Sequence, residues 1–288
     1  MASGTSKNPH KSFKRTYRED YVRDLEVPGM AFHVFNSFKL IFGNSKIFLP
    51  FILIMILVTI LLVGVADEFL NGQTIIFGSL VFLVIWLVTI FVLRQKMAGN
   101  KITLRDALYN AMTPLISNFV MLFVVAIQCI PIMLLVIAYS SAIETHFLDT
   151  PFYAFLFLTF AGLMVILSCY LLSSTIMALV AVSAPGMYPL EAFKNTNELM
   201  RGRRIKFILR IILLAIVVSI IWIVIMYPIN MWASSLPQFP LVKICGIIVA
   251  VFLAVYISVY FYSYYRWMLR YDNEKEENEK RRSRKKNS

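Results

Sequence analysis

Hydrophobic positions in this chain come in long uninterrupted runs, without the polar alternation of a half-buried strand. Runs at 47–65 and 74–93 carry no charged residue. As helices each is about 28–30 Å long, close to the thickness of a bilayer's hydrocarbon core. Further runs at about 115–139, 152–182, 207–227 and 241–265 bring the predicted spans to six. The third contains Gln128 and Pro131. The proline predicts a kink there, with the freed carbonyl available to Gln128 or a neighbouring hydroxyl. The fourth is longer than a bilayer needs and predicts a tilt or a projection into water. Connectors at 66–73, 140–151 and 228–240 are short, so the spans read as three consecutive hairpins.

The segments leading into the odd-numbered spans have a different pattern, with a helical period and mixed polarity. Before span one, Ala31, Val34, Phe35, Phe38, Ile41 and Phe42 form an apolar stripe, with His33, Asn36 and Lys39 elsewhere. Before span three, Thr103 and Asp106 have capping-box spacing, and Leu104, Leu108, Ala111 and Met112 make the stripe. Before span five, Pro189 can open a helix whose stripe is Ala192, Phe193, Leu199 and Met200, opposite Glu191, Lys194 and Glu198. The second and third of these linkers share a glycine, Gly99 or Gly186, followed by an acidic residue, Ala and a large apolar residue. The fold expected is therefore an all-α integral membrane protein of three units. Each unit is a cytoplasmic interfacial amphipathic helix followed by a hairpin. Residues 28–270 form the membrane domain, between a disordered cytoplasmic segment at 1–27 and a charged cytoplasmic tail at 271–288.

Composition agrees: 59% of the 288 residues are hydrophobic and 15% charged, against roughly 45–50% apolar in a soluble domain. The net charge of +12 would fit a nucleic-acid binder in a soluble chain, but position gives it another meaning. Eight basic residues precede span one, four lie between spans two and three, six between four and five when Arg210 at the start of span five is counted, and nine from Arg266 onward, leaving only Lys243 on the other side. By the positive-inside rule both termini are cytoplasmic and the host is the inner membrane. No nucleic-acid partner is expected. Polar, charged residues through Glu26 leave no cleavable leader, so span one is expected to direct insertion. Cys129, Cys169 and Cys245 lie within apolar runs and read as small fillers, since no paired framework or CxxC is present.

The third linker reads Pro185-Gly186-Met187-Tyr188-Pro189-Leu190-Glu191-Ala192-Phe193-Lys194, then Glu198-Leu199-Met200-Arg201-Gly202-Arg203-Arg204. This wording, with Ser37-Phe38-Lys39 and 44–50 near the start, resembles bacterial six-span proteins related to the membrane domain attached to some glycerophosphodiester phosphodiesterases. The resemblance implies a membrane module that works beside another protein. The catalytic half of such enzymes carries a His-Arg-Gly motif in a soluble barrel. Here His10, His33 and His146 are followed by Lys, Val and Phe, so that catalysis is not expected.

Candidate chemistry is sparse. Arg201, Arg203, Arg204 and Lys206 precede span five where anionic headgroups lie, and each such base is worth on the order of 1 kcal/mol of attraction. Asn118, Gln128, Ser173 and Ser174 are the main intramembrane polar groups, read as helix–helix glue. Arg210 and Lys243 lie about a turn from an interface, where they are expected to snorkel. The aromatic residues from Tyr256 to Trp267 read as an interfacial belt. Glu144, His146 and Asp149 share a short loop, but their spacing specifies no metal site, and no cofactor is expected. The terminal Lys285-Lys286 reads as part of a basic tail. The function expected is a noncatalytic module contacting membrane lipids or supporting a partner protein at the inner leaflet. The alternative is a transporter or permease for a small or lipid-like substrate.

Overall fold

The computed structural model describes residues 32–64, 72–145, 149–184, 186–233 and 241–286. The expectations for residues 1–27, Ala31, His146 and the last two residues lie outside the described residues. The described residues form helices with no strand among them: α1 (Phe32–Gly43), α2 (Ser45–Gly64), α3 (Gly72–Met97), α4 (Leu104–Ala111), α5 (Leu115–Gln128), α6 (Ile130–Glu144), α7 (Pro151–Val182), α8 (Pro189–Met200), α9 (Arg204–Ala233) and α10 (Leu241–Lys286). Six segments are long and apolar enough to cross a membrane, with α5 and α6 together making the third. The chain is thus a multi-pass membrane protein.

The third span has a break. At Cys129 the N–H bonds back to the carbonyls of Val125 and Ala126, at 3.0 and 3.1 Å, and Pro131 sits in the first turn of the helix that follows. A proline in that turn gives up an N–H that the start of a helix leaves unpaired anyway, so a turn there costs little. Toward the C-terminal end, the sixth span runs on into the charged tail as one helix. Helix α10 continues to Lys286 without a break.

Helices α3 and α10 form the centre: in the most hydrophobic 18-residue stretch of each, 61% is buried, against 6% in that of α7. Helix α10 packs against α1, α2, α3, α7 and α9. From Leu83 to Leu93 nearly every side chain of α3 is buried, including Trp86, so protein surrounds the helix on all sides there. Lipid tails are as apolar as these side chains, so their burial gains close packing and dispersion more than a hydrophobic transfer.

Burial is concentrated toward one end. In α7, residues 151–167 are exposed or half-exposed throughout, whereas Ser173, Ser174, Thr175, Met177 and the following residues to Ser183 are buried. Helix α8 packs on α7, and Ala192, Thr196 and Met200 are the side chains it buries. Helix α4 packs on α3 and buries Ala107 and Ala111. The expected cap of α4 is present. The Asp106 N–H donates to Thr103 Oγ1 at 3.2 Å, and Thr103 Oγ1 donates to the Asp106 carboxylate at 2.6 Å. Such a cap is worth about 1 kcal/mol. Gly99 and Gly186, the glycines shared by the two linkers, both have φ of +78°, in the left-handed region a chain leaving a helix often uses.

Candidate functional site

Helix α9 opens with Arg204 and carries Phe207 and Arg210 on the face turned to α10, where Phe207 is fully buried and Arg210 only 8% exposed. The facing residues of α10 recur at three and four positions, Tyr256, Tyr260, Tyr264, Trp267 and Tyr271, which places them in one stripe. Phe207 stacks on Tyr264 with centroids 5.3 Å apart, and Tyr264 stacks on Trp267 at 5.7 Å. The Arg210 guanidinium lies over both of these rings, 4.7 Å from the Tyr264 centroid and 4.9 Å from that of Trp267. About two turns earlier, just before α9 begins, Arg203 lies 4.9 Å over Tyr271.

Helix α1 closes the other side. His33 meets Tyr264 and Trp267 edge-on at 5.5 and 5.9 Å, and its Nδ1 is 3.1 Å from Ser263 Oγ. The Tyr256 hydroxyl donates to the Val34 carbonyl at 3.2 Å, and the Tyr260 hydroxyl donates to the Arg210 carbonyl at 3.3 Å. These two hydroxyls tie α1 and α9 to α10 and satisfy polar atoms that would be costly to bury bare. His33 is buried, and desolvation together with the Arg210 charge lowers its pKa to about 4.

Three sequence expectations change here. Tyr256, Tyr260 and Tyr264 are core residues between α1 and α9, where an interfacial belt was expected. Arg210 lies inward on rings where snorkelling was expected. Helix α1 is turned about its axis relative to the apolar stripe: His33 and Ser37 are buried, while Phe35 is 72% and Phe42 66% exposed. In an apolar surrounding a phenylalanine loses little by facing outward, whereas a histidine needs polar partners, so polarity decides the buried face.

The four basic residues before span five do not act as a unit. Arg201 and Lys206 are exposed, while Arg203 reaches α10 and Arg204 reaches α7 and α8. The Arg204 guanidinium lies 3.9 Å over the Tyr170 ring and donates to Asn197 Oδ1, which also accepts from Ser174 Oγ at 3.4 Å. Ser174 and Arg204, singled out for different reasons, are thus joined through Asn197. Ser173 bonds only within its own helix, to the Tyr170 carbonyl at 2.7 Å.

Asn118 and Gln128 both attach α5 to α7. Gln128 Oε1 accepts from the Thr175 hydroxyl at 2.6 Å. Asn118 Oδ1 accepts from Ser183 Oγ at 3.4 Å, and the Ser183 carbonyl accepts from Arg94 Nη1 at 3.1 Å. Gln128 therefore serves the neighbouring helix through Thr175. A narrow cleft lined by Ile90, Arg94, Tyr262, Tyr265 and Arg266, among others, opens beside Ser183's helix. Lys243 is half-buried. No group of three or more His, Cys, Asp or Glu able to hold a metal occurs among the described residues. The partners His33, Asn197, Ser183 and Arg94 were not singled out as site residues in the sequence. A hint lay in the four-residue spacing of His33 and Ser37 across an otherwise apolar helix. No protein-family model, no curated protein and no solved structure matches the chain.

Proposed function

We propose that the chain is a noncatalytic integral membrane module of the inner membrane that contacts lipid at the cytoplasmic leaflet and supports a partner protein there. The observation that carries this is the one-sided distribution of charge and packing. Arg94, Arg203, Arg204 and Arg210 share the end of the bundle where α7 is buried and where α1, α4 and α8 dock. Interhelical polar groups such as Gln128, Thr175, Asn118 and Ser183 bond to one another, which favours helix attachment over lining a substrate path. The positive-inside distribution then orients this end toward the cytoplasm, with both termini on that side.

On this reading α1, α4 and α8 are interfacial amphipathic helices, one before each hairpin of spans. What supports it is their two-sidedness. Each buries one face against the bundle and leaves large apolar or aromatic residues exposed at or beside it, namely Phe35 and Phe42, Tyr109, and Tyr188 and Leu190. Exposed residues of that kind are at home in the headgroup and acyl boundary. A partner protein enters from the third-linker wording, which is similar to that of membrane domains attached to phosphodiesterases.

The test replaces Arg201, Arg203, Arg204 and Lys206 with Gln together. Anionic lipid copurifying with the protein should fall several-fold relative to zwitterionic lipid, with reporter fusions showing unchanged topology. Unchanged lipid retention overturns the lipid-contact reading, and a water-filled path detected by solute flux in proteoliposomes would favour a transporter instead.

A further inference from the structure

Arg210 is a full positive charge in a membrane-spanning helix, only 8% exposed, with Nε and Nη1 both buried and without a hydrogen-bond partner. A bare buried charge is among the most expensive groups a fold can hold, and one donor nitrogen left unmade already costs stability. The rings of Tyr264 and Trp267 attract the cation face-on, and the Tyr264 hydroxyl takes one of its donors, but Nε and Nη1 are left with nothing to receive them. On the same two rings sits His33, 2% exposed, whose Nε2 also lacks a partner. With the Ser263 hydroxyl donating to Nδ1, the Nε2 proton is a third donor with nothing to receive it. All three belong to one cluster, built from three helices, and share a single electrostatic deficit.

We propose that Arg210 and His33 form an inter-helical receptor for an anionic oxygen group, a phosphate monoester or diester, seated between α1, α9 and α10 on the Tyr264–Trp267 platform. A phosphate has the geometry for it: two oxygens accept from the guanidinium edge and one from the imidazole. Its charge offsets that of Arg210, which no other group in the cluster does. Two sources share this chemistry, an anionic lipid headgroup entering from the leaflet and a free inorganic or organic phosphate entering from water. The site rests on the inner-leaflet reading above only for which of these is present, and it uses none of the four residues whose replacement tests that reading.

The full chain in a non-ionic detergent is titrated with phosphatidylglycerol or phosphatidylcholine in mixed micelles, and separately with inorganic phosphate against chloride at matched ionic strength, following the unfolding temperature. The expected result is a rise of several degrees with phosphatidylglycerol, inorganic phosphate or both, and none with phosphatidylcholine or chloride. A response to phosphatidylglycerol alone assigns the headgroup, and a response to inorganic phosphate assigns a free anion. Arg210→Met should abolish the rise, yet unfold at or above the wild-type temperature without anion, because it removes the bare charge. His33→Phe keeps the ring packing and should reduce the rise, so the result stands even if Arg210→Met does not fold. Arg201→Gln should leave it intact. No anion-specific rise in the wild type, or an undiminished rise in Arg210→Met or, where that variant does not fold, in His33→Phe, overturns the site. None of these outcomes bears on lipid retention by the four-residue variant, so the two proposals fail separately.

Discussion

At the scale of the residue, polarity and packing decide between faces that hydropathy treats as equal. His33 is the clearest case, since it is buried where the apolar stripe of α1 places it outward. Its pKa lies below the ordinary 6.5, at about 4, so the unfolded chain binds more protons than the folded one between those values. Stability then rises with pH in that window: the contribution is full above pH 6.5 and is lost as pH falls toward 4, in all about 3 kcal/mol. The charged and titratable groups facing His33 are Arg210, Tyr260 and Tyr264. Melting of the purified protein should show this acid-side loss, and His33→Gln should flatten it. A wild-type melting temperature that is level from pH 7 to 4 would contradict the burial of a neutral imidazole.

At the scale of the element, Thr175 and Gln128 make one of the two hydroxyl–amide contacts that join span three to span four. Thr175→Val keeps the shape of the side chain and removes the donor to Gln128 Oε1, leaving the amide oxygen without that bond. The expected loss is about 1 kcal/mol, the mean for an interhelical hydrogen bond within a membrane being nearer 0.6. Thr175→Val combined with Gln128→Leu should recover most of it, because both polar ends are gone. A single variant as stable as wild type would show that the contact contributes nothing. Element boundaries were largely legible in the sequence, because an apolar run and a bilayer have the same length. The start of α4 was legible from Thr103 and Asp106, and that of α8 from Pro189. The break at Cys129 was visible only as a proline, and the charged tail was legible only as either disorder or a solvated extension of α10. The rotation of each helix was not legible either. Lipid and protein interior are alike in polarity, so Phe35 facing out and Tyr260 facing in leave the same trace in the chain.

At the scale of the molecule, the bundle is tight at one end and open at the other. Helix α7, with 32 residues, is about 48 Å long against a hydrocarbon core of about 30 Å. Its buried third is the one that meets α5 and α8, while its first half and α6 meet little besides each other. The two ends should therefore answer differently to bilayer thickness. In vesicles of increasing acyl-chain length, a distance label pair between Ser140 and Thr159 and the rest of the bundle should shift progressively. A pair between Thr196 and Leu108 should hold its distance. Equal movement of both pairs would mean that the bundle tilts as one body.

That asymmetry also bears on what an evolving lineage could change in such a protein. Outer residues of α6 and α7 answer only to the requirement of being apolar, so they can drift among Leu, Ile, Phe and Val at almost no cost to the fold. Residues 173–183, by contrast, are fixed by neighbours on several sides at once. Within a single helix, then, one half should diverge freely among related chains while the other keeps its small and hydroxyl residues in register, and the line between them should fall near Ser168, where burial begins.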